Sequence, residues 1–97
     1  MLSLAVALAL FASVTAASAQ NTENGRRLSE RWCAECHAVT PSGKSRARSF
    51  AAIAAKDTIS AEMIASFLRL PHATMPNVPL RGNDGQDIAA FIMGMKK

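Results

Sequence analysis

The pentapeptide Cys33-Ala34-Glu35-Cys36-His37 constrains this chain more than any other feature, because it holds both cysteines and one of the two histidines. A disulfide between Cys33 and Cys36 would close a very short loop and would stabilise the fold little. A thioredoxin-like redox motif requires a βαβ context that the chain lacks. A zinc site would require a second ligand pair, and only His72 is left, 35 residues beyond His37. These three interpretations are therefore weak.

The same spacing is typical of covalent c-type haem attachment. Two thiols three positions apart on a helical turn can add to the two vinyl groups at one porphyrin edge, and the adjacent His37 then faces the iron. Leu, Ile, Val and Phe make up only 14 of the 78 residues from Gln20 to Lys97, below the roughly 20% that packed cores need. The sequence therefore predicts one covalent haem c at the centre of a small core.

Residues 1–19 differ from the rest of the chain, since 15 of them are apolar and none is charged. Their apolar run is followed by Ala17-Ser18-Ala19, an A-x-A cleavage pattern. We therefore expect a secretory signal peptide at 1–19 and a haem domain at 20–97. The mature protein would be periplasmic and would have no membrane span. The alternative is a retained N-terminal anchor, because no Lys or Arg precedes the apolar run.

Helical signals follow one another along residues 20–97, and no convincing strand pattern occurs. Thr22 is predicted to cap a first helix that leads into the cysteines, and Phe50 to Ala55 is predicted to form a short second helix. Ser60 is predicted to cap a third helix. Asn83, with Gln86 three residues later, resembles a capping box at the start of a last helix. The fold class is therefore expected to be all-α.

A loop with three prolines, at residues 71–80, separates the third and last helices. Prolines fix φ and stiffen a loop, and a stiff loop can hold the flexible thioether of Met75 over an iron atom. With this loop, the sequence resembles the class I c-type cytochromes, specifically the small bacterial cytochromes with one haem. The motifs that carry the resemblance are, in chain order, Gly25-x-x-Leu28, Cys33-x-x-Cys36-His37, Met75-Pro76 and Ile88-x-x-Phe91-Ile92.

The resemblance implies a fold and a set of haem contacts. The fold would be the small cytochrome c fold, in which the N- and C-terminal helices cross over a covalently attached haem. Cys33 and Cys36 would form the two thioether bonds. His37 would be the proximal iron ligand through Nε2, and Met75 would be the distal ligand.

The resemblance also implies packing roles. Gly25 would lie where the first helix crosses the last, with the ring of Phe91 packed against its bare backbone. Trp32 is most simply a wall of the haem pocket. Met63 and the two methionines of the last helix, Met93 and Met95, are expected to fill gaps in the core.

Two features depart from the family pattern. These cytochromes commonly carry a proline after the haem motif, and its carbonyl accepts the Nδ1 proton of the proximal histidine. Here Arg48 stands near that place, so the acceptor for His37 stays open. The chain has no tyrosine to hydrogen-bond the methionine sulfur, and Asn77 could substitute. His72 could compete with Met75 for the iron, although it is more simply a loop histidine.

Histidine and thioether ligation closes the iron to substrates, so the expected function is one-electron transfer and not catalysis. Two alternatives are a fixed electron-transfer subunit of a larger dehydrogenase or oxidase, and a gas- or peroxide-binding haem protein with a displaceable Met75. The net charge of +4 and the basic run Lys44, Arg46 and Arg48 indicate redox partners with acidic docking surfaces. An exported chain of this kind is expected to be a monomer that does not bind nucleic acid.

Overall fold

Four helices form the protein in the computed structural model, which describes residues 21–70 and 74–97. In chain order they are α1 (Thr22–Trp32), α2 (Phe50–Ala54), α3 (Ala61–Arg69) and α4 (Asp84–Met93). The described residues contain no strand. The predicted all-α fold class is therefore confirmed.

The start of α1 differs by one residue from the sequence prediction. The Asn21 side chain, and not that of Thr22, accepts a hydrogen bond from the backbone N–H of Asn24 at 2.9 Å. Thr22 is instead the first helical residue, and Glu23 lies in the first turn, where the helix dipole favours a carboxylate. Asn and Thr are both good N-caps, so the helix begins at the residue whose side chain reaches the free N–H groups.

The crossing of α1 and α4 is the closest helix contact in the described structure. A Cβ added to Gly25 would lie 2.0 Å from the carbonyl oxygen of Asp87 and 3.0 Å from the nitrogen of Ile88. The predicted crossing at Gly25 is therefore confirmed, because the atoms nearest to such a Cβ belong to the backbone of α4. The ring of Phe91 packs edge-on against Phe50 at 6.3 Å, and its packing against Gly25 stays a prediction.

A polar cluster closes one end of this crossing. The buried carboxylate of Asp87 accepts hydrogen bonds from the Asn21 backbone N–H at 2.8 Å and from the Asn24 side-chain amide at 2.9 Å. The same amide also donates to Asp84 at 3.1 Å. A buried carboxylate is costly unless donors surround it, and these donors join the first turn of α1 to the first turn of α4.

The core lies where α2, α3 and α4 meet. Phe50, Ile64, Ile88 and Ile92 are its largest buried side chains. Serine N-caps start two of the helices: Ser60 accepts from Met63 N–H as predicted, and Ser49 accepts from Ala52 N–H. The two serine caps determine where α2 and α3 begin. The buried isoleucines contribute to the packing of the core.

The methionines divide into two groups. Met93 and Met95 pack against the core, as expected, but Met63 is 52% exposed on α3 and does not fill the core. The apolar face of α3 also extends beyond its buried part, because Ile64 is buried while Phe67, three residues later, is 52% exposed. The two exposed side chains leave α3 with apolar surface beyond what the core covers.

The last helix begins at Asp84, after a turn in which Gly82 adopts a φ of +50°. The predicted capping box is not observed, since the Asn83 side chain makes no cap hydrogen bond. The Asp84 carboxylate instead accepts from the Arg81 backbone N–H at 3.0 Å. None of the helices in the described ranges is long and apolar enough to cross a membrane.

Candidate haem site

The described residues enclose a cavity of about 500 Å³, within the size range of cofactor pockets. Its walls come from the segment after α1, from α2, α3 and α4, and from the loop before α4. Most of the lining side chains are apolar, and these include Trp32, Phe50, Ile53, Ile59, Ile64, Phe67, Leu68, Val78, Ile88 and Ile92. The cavity therefore suits a large, flat and mainly apolar group.

The cysteine motif lies at one wall of this cavity. Cys33 ends α1, and the chain then turns so that the His37 backbone N–H bonds to the Cys33 carbonyl at 2.9 Å. Both thiols are free, with Cys33 partly buried and Cys36 exposed. Burial raises the pKa of the Cys33 thiol to about 11, which keeps it protonated at neutral pH. The turn presents both cysteines and His37 to the same cavity.

The ring of His37 is held by one backbone acceptor. Its Nδ1 lies 2.5 Å from the carbonyl oxygen of Arg48, and no hydrogen-bond partner of Nε2 is found in the described part of the chain. The ring also packs against Phe50 at a centroid distance of 5.5 Å. This contact answers the question that the missing proline left open, because the residue that stands near the proline position supplies the carbonyl.

The loop that carries Arg48 is bonded to the cysteine motif along its length. The Cys36 carbonyl accepts from the backbone N–H groups of Arg46 at 2.9 Å and Ala47 at 2.8 Å. The Ala38 carbonyl accepts from Phe50 N–H at 3.0 Å. The orientation of His37 is therefore fixed by backbone geometry over several residues.

Met75 lies at another wall of the same cavity. It is half-buried, and its neighbours Pro76, Asn77 and Val78 also line the cavity. No hydrogen bond from the Asn77 side chain is found among the described residues, so its suggested role toward the sulfur gains no support. His72 lies outside the described residues. The structure thus brings Cys33, Cys36, His37 and Met75 to one cavity.

Several cavity residues were missed by sequence reasoning. Lys56, after α2, and Ile59 line the cavity, and the sequence offered no signal for either because neither belongs to a motif. Phe67, on α3, also lines the cavity, with 52% of its surface exposed. The predicted role of Trp32 as a pocket wall agrees with its position.

The chemistry of the lining groups fits a haem. Two thiols can bond covalently to a porphyrin edge, and an imidazole nitrogen and a thioether sulfur are both iron ligands. The apolar walls suit the faces of the macrocycle, and the exposed Trp32 and Phe67 are the large apolar side chains that such a group would cover. Within the described ranges, no cluster of His, Cys, Asp and Glu suggests a different metal site.

Comparison with known proteins gives the same family. The chain is 39% identical over 93 residues to cytochrome c-552 of Bradyrhizobium diazoefficiens, and the match covers 92% of this chain and 88% of that protein. No family model and no solved structure matches. Identity at this level over nearly the whole length shows common descent, and the chain therefore belongs to the small class I c-type cytochromes, electron carriers with a covalently bound haem c.

Proposed function

We propose that this protein is a periplasmic one-electron carrier whose haem is bonded to Cys33 and Cys36 and ligated by His37 and Met75. The observation that carries the proposal is that Met75, 38 residues beyond His37, lines the same apolar cavity as the cysteine motif. A bound haem supplies a single iron centre that stores and releases one electron. Every other part of the proposal concerns what the side chains around it do.

The two proposed iron ligands favour electron transfer over substrate chemistry. His37 and Met75 would hold the haem iron through an imidazole nitrogen and a thioether sulfur, and the soft sulfur would favour the reduced metal and a high reduction potential. The carbonyl of Arg48 fixes the His37 ring, and Pro76 stiffens the backbone beside Met75. A rigid site changes little between oxidation states, and small structural change speeds transfer of an electron.

The cavity lining also argues against an enzyme. Turnover of peroxide would need a distal acid–base group, and the cavity-lining residues next to Met75 in sequence, Pro76, Asn77 and Val78, supply none. The gas- or peroxide-binding alternative would therefore depend on loss of the Met75 ligand. We propose the closed carrier and treat ligand binding by the native protein as the outcome that would contradict it.

The charges near the cavity suggest the chemistry of the redox partner. Lys56 lines the cavity, and the exposed Lys44, Arg46 and Arg48 belong to the loop that is bonded to the cysteine motif. A positive surface next to an electron-transfer site speeds association with an acidic partner. We propose a partner with an acidic docking surface, bound through the small and short-lived interface typical of redox encounters.

Export is proposed from the sequence. Residues 1–19 have the composition of a signal peptide, with cleavage before Gln20, and residues 20–97 then form the mature haem domain. N-terminal sequencing of the protein from the periplasmic fraction tests the cleavage site.

The distal ligand is tested by two matched substitutions in the loop before α4. Met75→Ala should abolish the weak near-infrared sulfur-to-iron absorption of the ferric protein, lower the reduction potential and let carbon monoxide bind the ferrous protein. His72→Ala should change none of these properties. If His72→Ala instead opened the iron while Met75→Ala left the spectrum intact, the haem would be bis-histidine. Rapid carbon monoxide binding by the wild-type protein would favour the gas-binding alternative.

A further inference from the structure

We infer that Ser45 is a positioning residue for the electron-transfer site, because its hydroxyl holds the turn that carries the His37 hydrogen-bond acceptor. Ser45 Oγ accepts from the backbone N–H of Ala38 at 3.0 Å. The same hydroxyl donates to the carbonyl of Ala47. It therefore links the residue after His37 directly to the residue before Arg48. The inference rests on the proposed function, which makes His37 the proximal ligand.

Ser45 adds two side-chain hydrogen bonds to the backbone hydrogen bonds that join the same segments. Residues 36–38 and residues 46–50 are joined by the N–H groups of Arg46, Ala47 and Phe50. Within the described residues, Ser45 is the residue whose side chain joins the two segments through a donated and an accepted bond at once. An alanine at this position would leave the Ala38 N–H without its partner.

The need for such a residue follows from the absence of proline at this place. A proline would lock φ and so restrict the path of the backbone that carries the carbonyl. Arg48 has a free φ, so the direction of its carbonyl depends on the hydrogen bonds of residues 45–47. Ser45 thus takes over a restraint that a ring would otherwise impose.

The consequence for the site runs through His37. A histidine that donates Nδ1–H to a well-placed carbonyl is a more basic metal ligand, and a more basic ligand favours the oxidised metal. A looser Arg48 carbonyl makes this hydrogen bond weaker on average. Loss of the Ser45 hydroxyl should therefore raise the reduction potential and expose the Nδ1 proton to exchange with solvent.

The test compares three variants of the holoprotein. In Ser45→Ala, NMR should show that the His37 Nδ1 proton exchanges with solvent about two- to tenfold faster than in the wild type, the factor that corresponds to one ordinary hydrogen bond. The reduction potential of the same variant should be more positive than that of the wild type. Ser45→Thr keeps a hydroxyl and should restore both properties. Ser42→Ala, an exposed serine in the same loop, is the matched control and should leave both unchanged.

The inference is overturned if Ser45→Ala exchanges its Nδ1 proton at the wild-type rate and keeps the wild-type potential. It is also overturned if Ser42→Ala has equal effects, since a general loosening of the loop would then be the cause. Ser45 is exposed and alanine is smaller, so the variant is expected to fold. If it does not, Ser45→Gly, which also lacks the hydroxyl, gives the same measurement.

Failure of the proposed function would look different from failure of this inference. If His37 is not an iron ligand, its ring protons in the wild-type ferric protein will lack the large paramagnetic shifts of a coordinated imidazole. If those shifts are present and the three variants behave alike, the ligand assignment stands and only the role of Ser45 is wrong.

Discussion

The α1–α4 crossing and the haem cavity of this cytochrome are packed in opposite ways. At the crossing, Gly25 meets the backbone of Asp87, and Ser29 and Ile88 are fully buried. At the cavity, Trp32 is 38% exposed and Phe67 is 52% exposed. One region is closed by the chain itself, and the other presents large apolar side chains to a space that the chain does not fill.

This difference shows how a short chain with few large aliphatic residues can fold. Small residues at the crossing let two helix backbones approach, so that little side-chain volume is needed there. The larger apolar residues are placed around the cavity, where a bound haem would supply the surface against which they pack. On this account the haem completes the core on the cavity side, and loss of the haem should cost more stability than a substitution at the crossing.

Removal of haem attachment should have the largest effect. In the double variant Cys33→Ala, Cys36→Ala, no covalent haem can form, and the cavity residues keep their exposed apolar surface. Because so small a domain has little stability to lose, we expect loss of the native fold as measured by circular dichroism and thermal unfolding. A colourless variant with a native helical spectrum and cooperative unfolding would show that the chain does not need the haem.

A substitution at the crossing should destabilise the fold less than loss of the haem and should leave the haem site unchanged. Gly25→Ala would place a Cβ 2.0 Å from the Asp87 carbonyl oxygen, so that α4 must move. We expect destabilisation of about 3 kcal/mol by denaturant unfolding, at the upper end of overpacking effects. The absorption spectrum of the folded fraction should stay that of the wild type.

The control for this substitution is Gly85→Ala on α4. A Cβ at Gly85 would meet only Ala65 O at 3.7 Å, an ordinary contact, so stability should be unchanged or slightly raised. Equal losses in the two variants would mean that α4 is sensitive to any added methyl group, and that close backbone approach at Gly25 is not the cause.

Charge reversal should affect the cavity side alone. Lys44→Glu and Arg48→Glu change the loop beside the cysteine motif, whereas Arg27→Glu changes an exposed position on α1. With an acidic redox partner at low ionic strength, the two loop variants should lower the second-order electron-transfer rate severalfold and weaken its salt dependence. Stopped-flow measurements in which Arg27→Glu had the same effect would point to overall net charge in place of a docking surface.

The smallest expected effect lies on the solvent face of α1. Hydrogen bonding to Arg26 lowers the pKa of Glu23 below its ordinary value of 4.5. A carboxyl whose pKa is lowered on folding stabilises the fold above its unfolded pKa, and this stability is lost as the pH falls through the folded value. Glu23→Gln should therefore slightly lower the melting temperature at neutral pH and leave it unchanged in acid. A deficit that persists in acid would contradict this ion-pair account.

The sequence was sufficient for the helices and for the cavity's chemical groups, because these depend on local spacing. Helical periodicity predicted the third and last helices, and the cysteine motif with Met75 predicted the groups that line one cavity. The choice of Asn21 over Thr22 as cap was not predictable, since both residues cap well and the start depends on one turn of chain. The sequence could not show whether Met63 faces the core.

Backbone contacts were the least accessible to sequence reasoning. The hydrogen-bond acceptor of His37 depends on the path of the loop, because every residue from 45 to 50 has a backbone carbonyl that could have taken this role. The close approach of the Asp87 main chain to Gly25 was not predictable for the same reason, since main-chain atoms carry no side-chain signal. Side-chain chemistry could be inferred from residue type, but main-chain geometry required the structure.

The central claim, that a haem bonded to Cys33 and Cys36 fills the cavity, is tested most directly by mass spectrometry of the wild-type protein after extraction with acidified acetone. The account predicts an intact mass equal to the processed chain plus one haem, and a proteolytic peptide spanning Cys33 to His37 that retains the haem. Recovery of the bare chain with both thiols free, from cells that attach haem to other cytochromes, would contradict it.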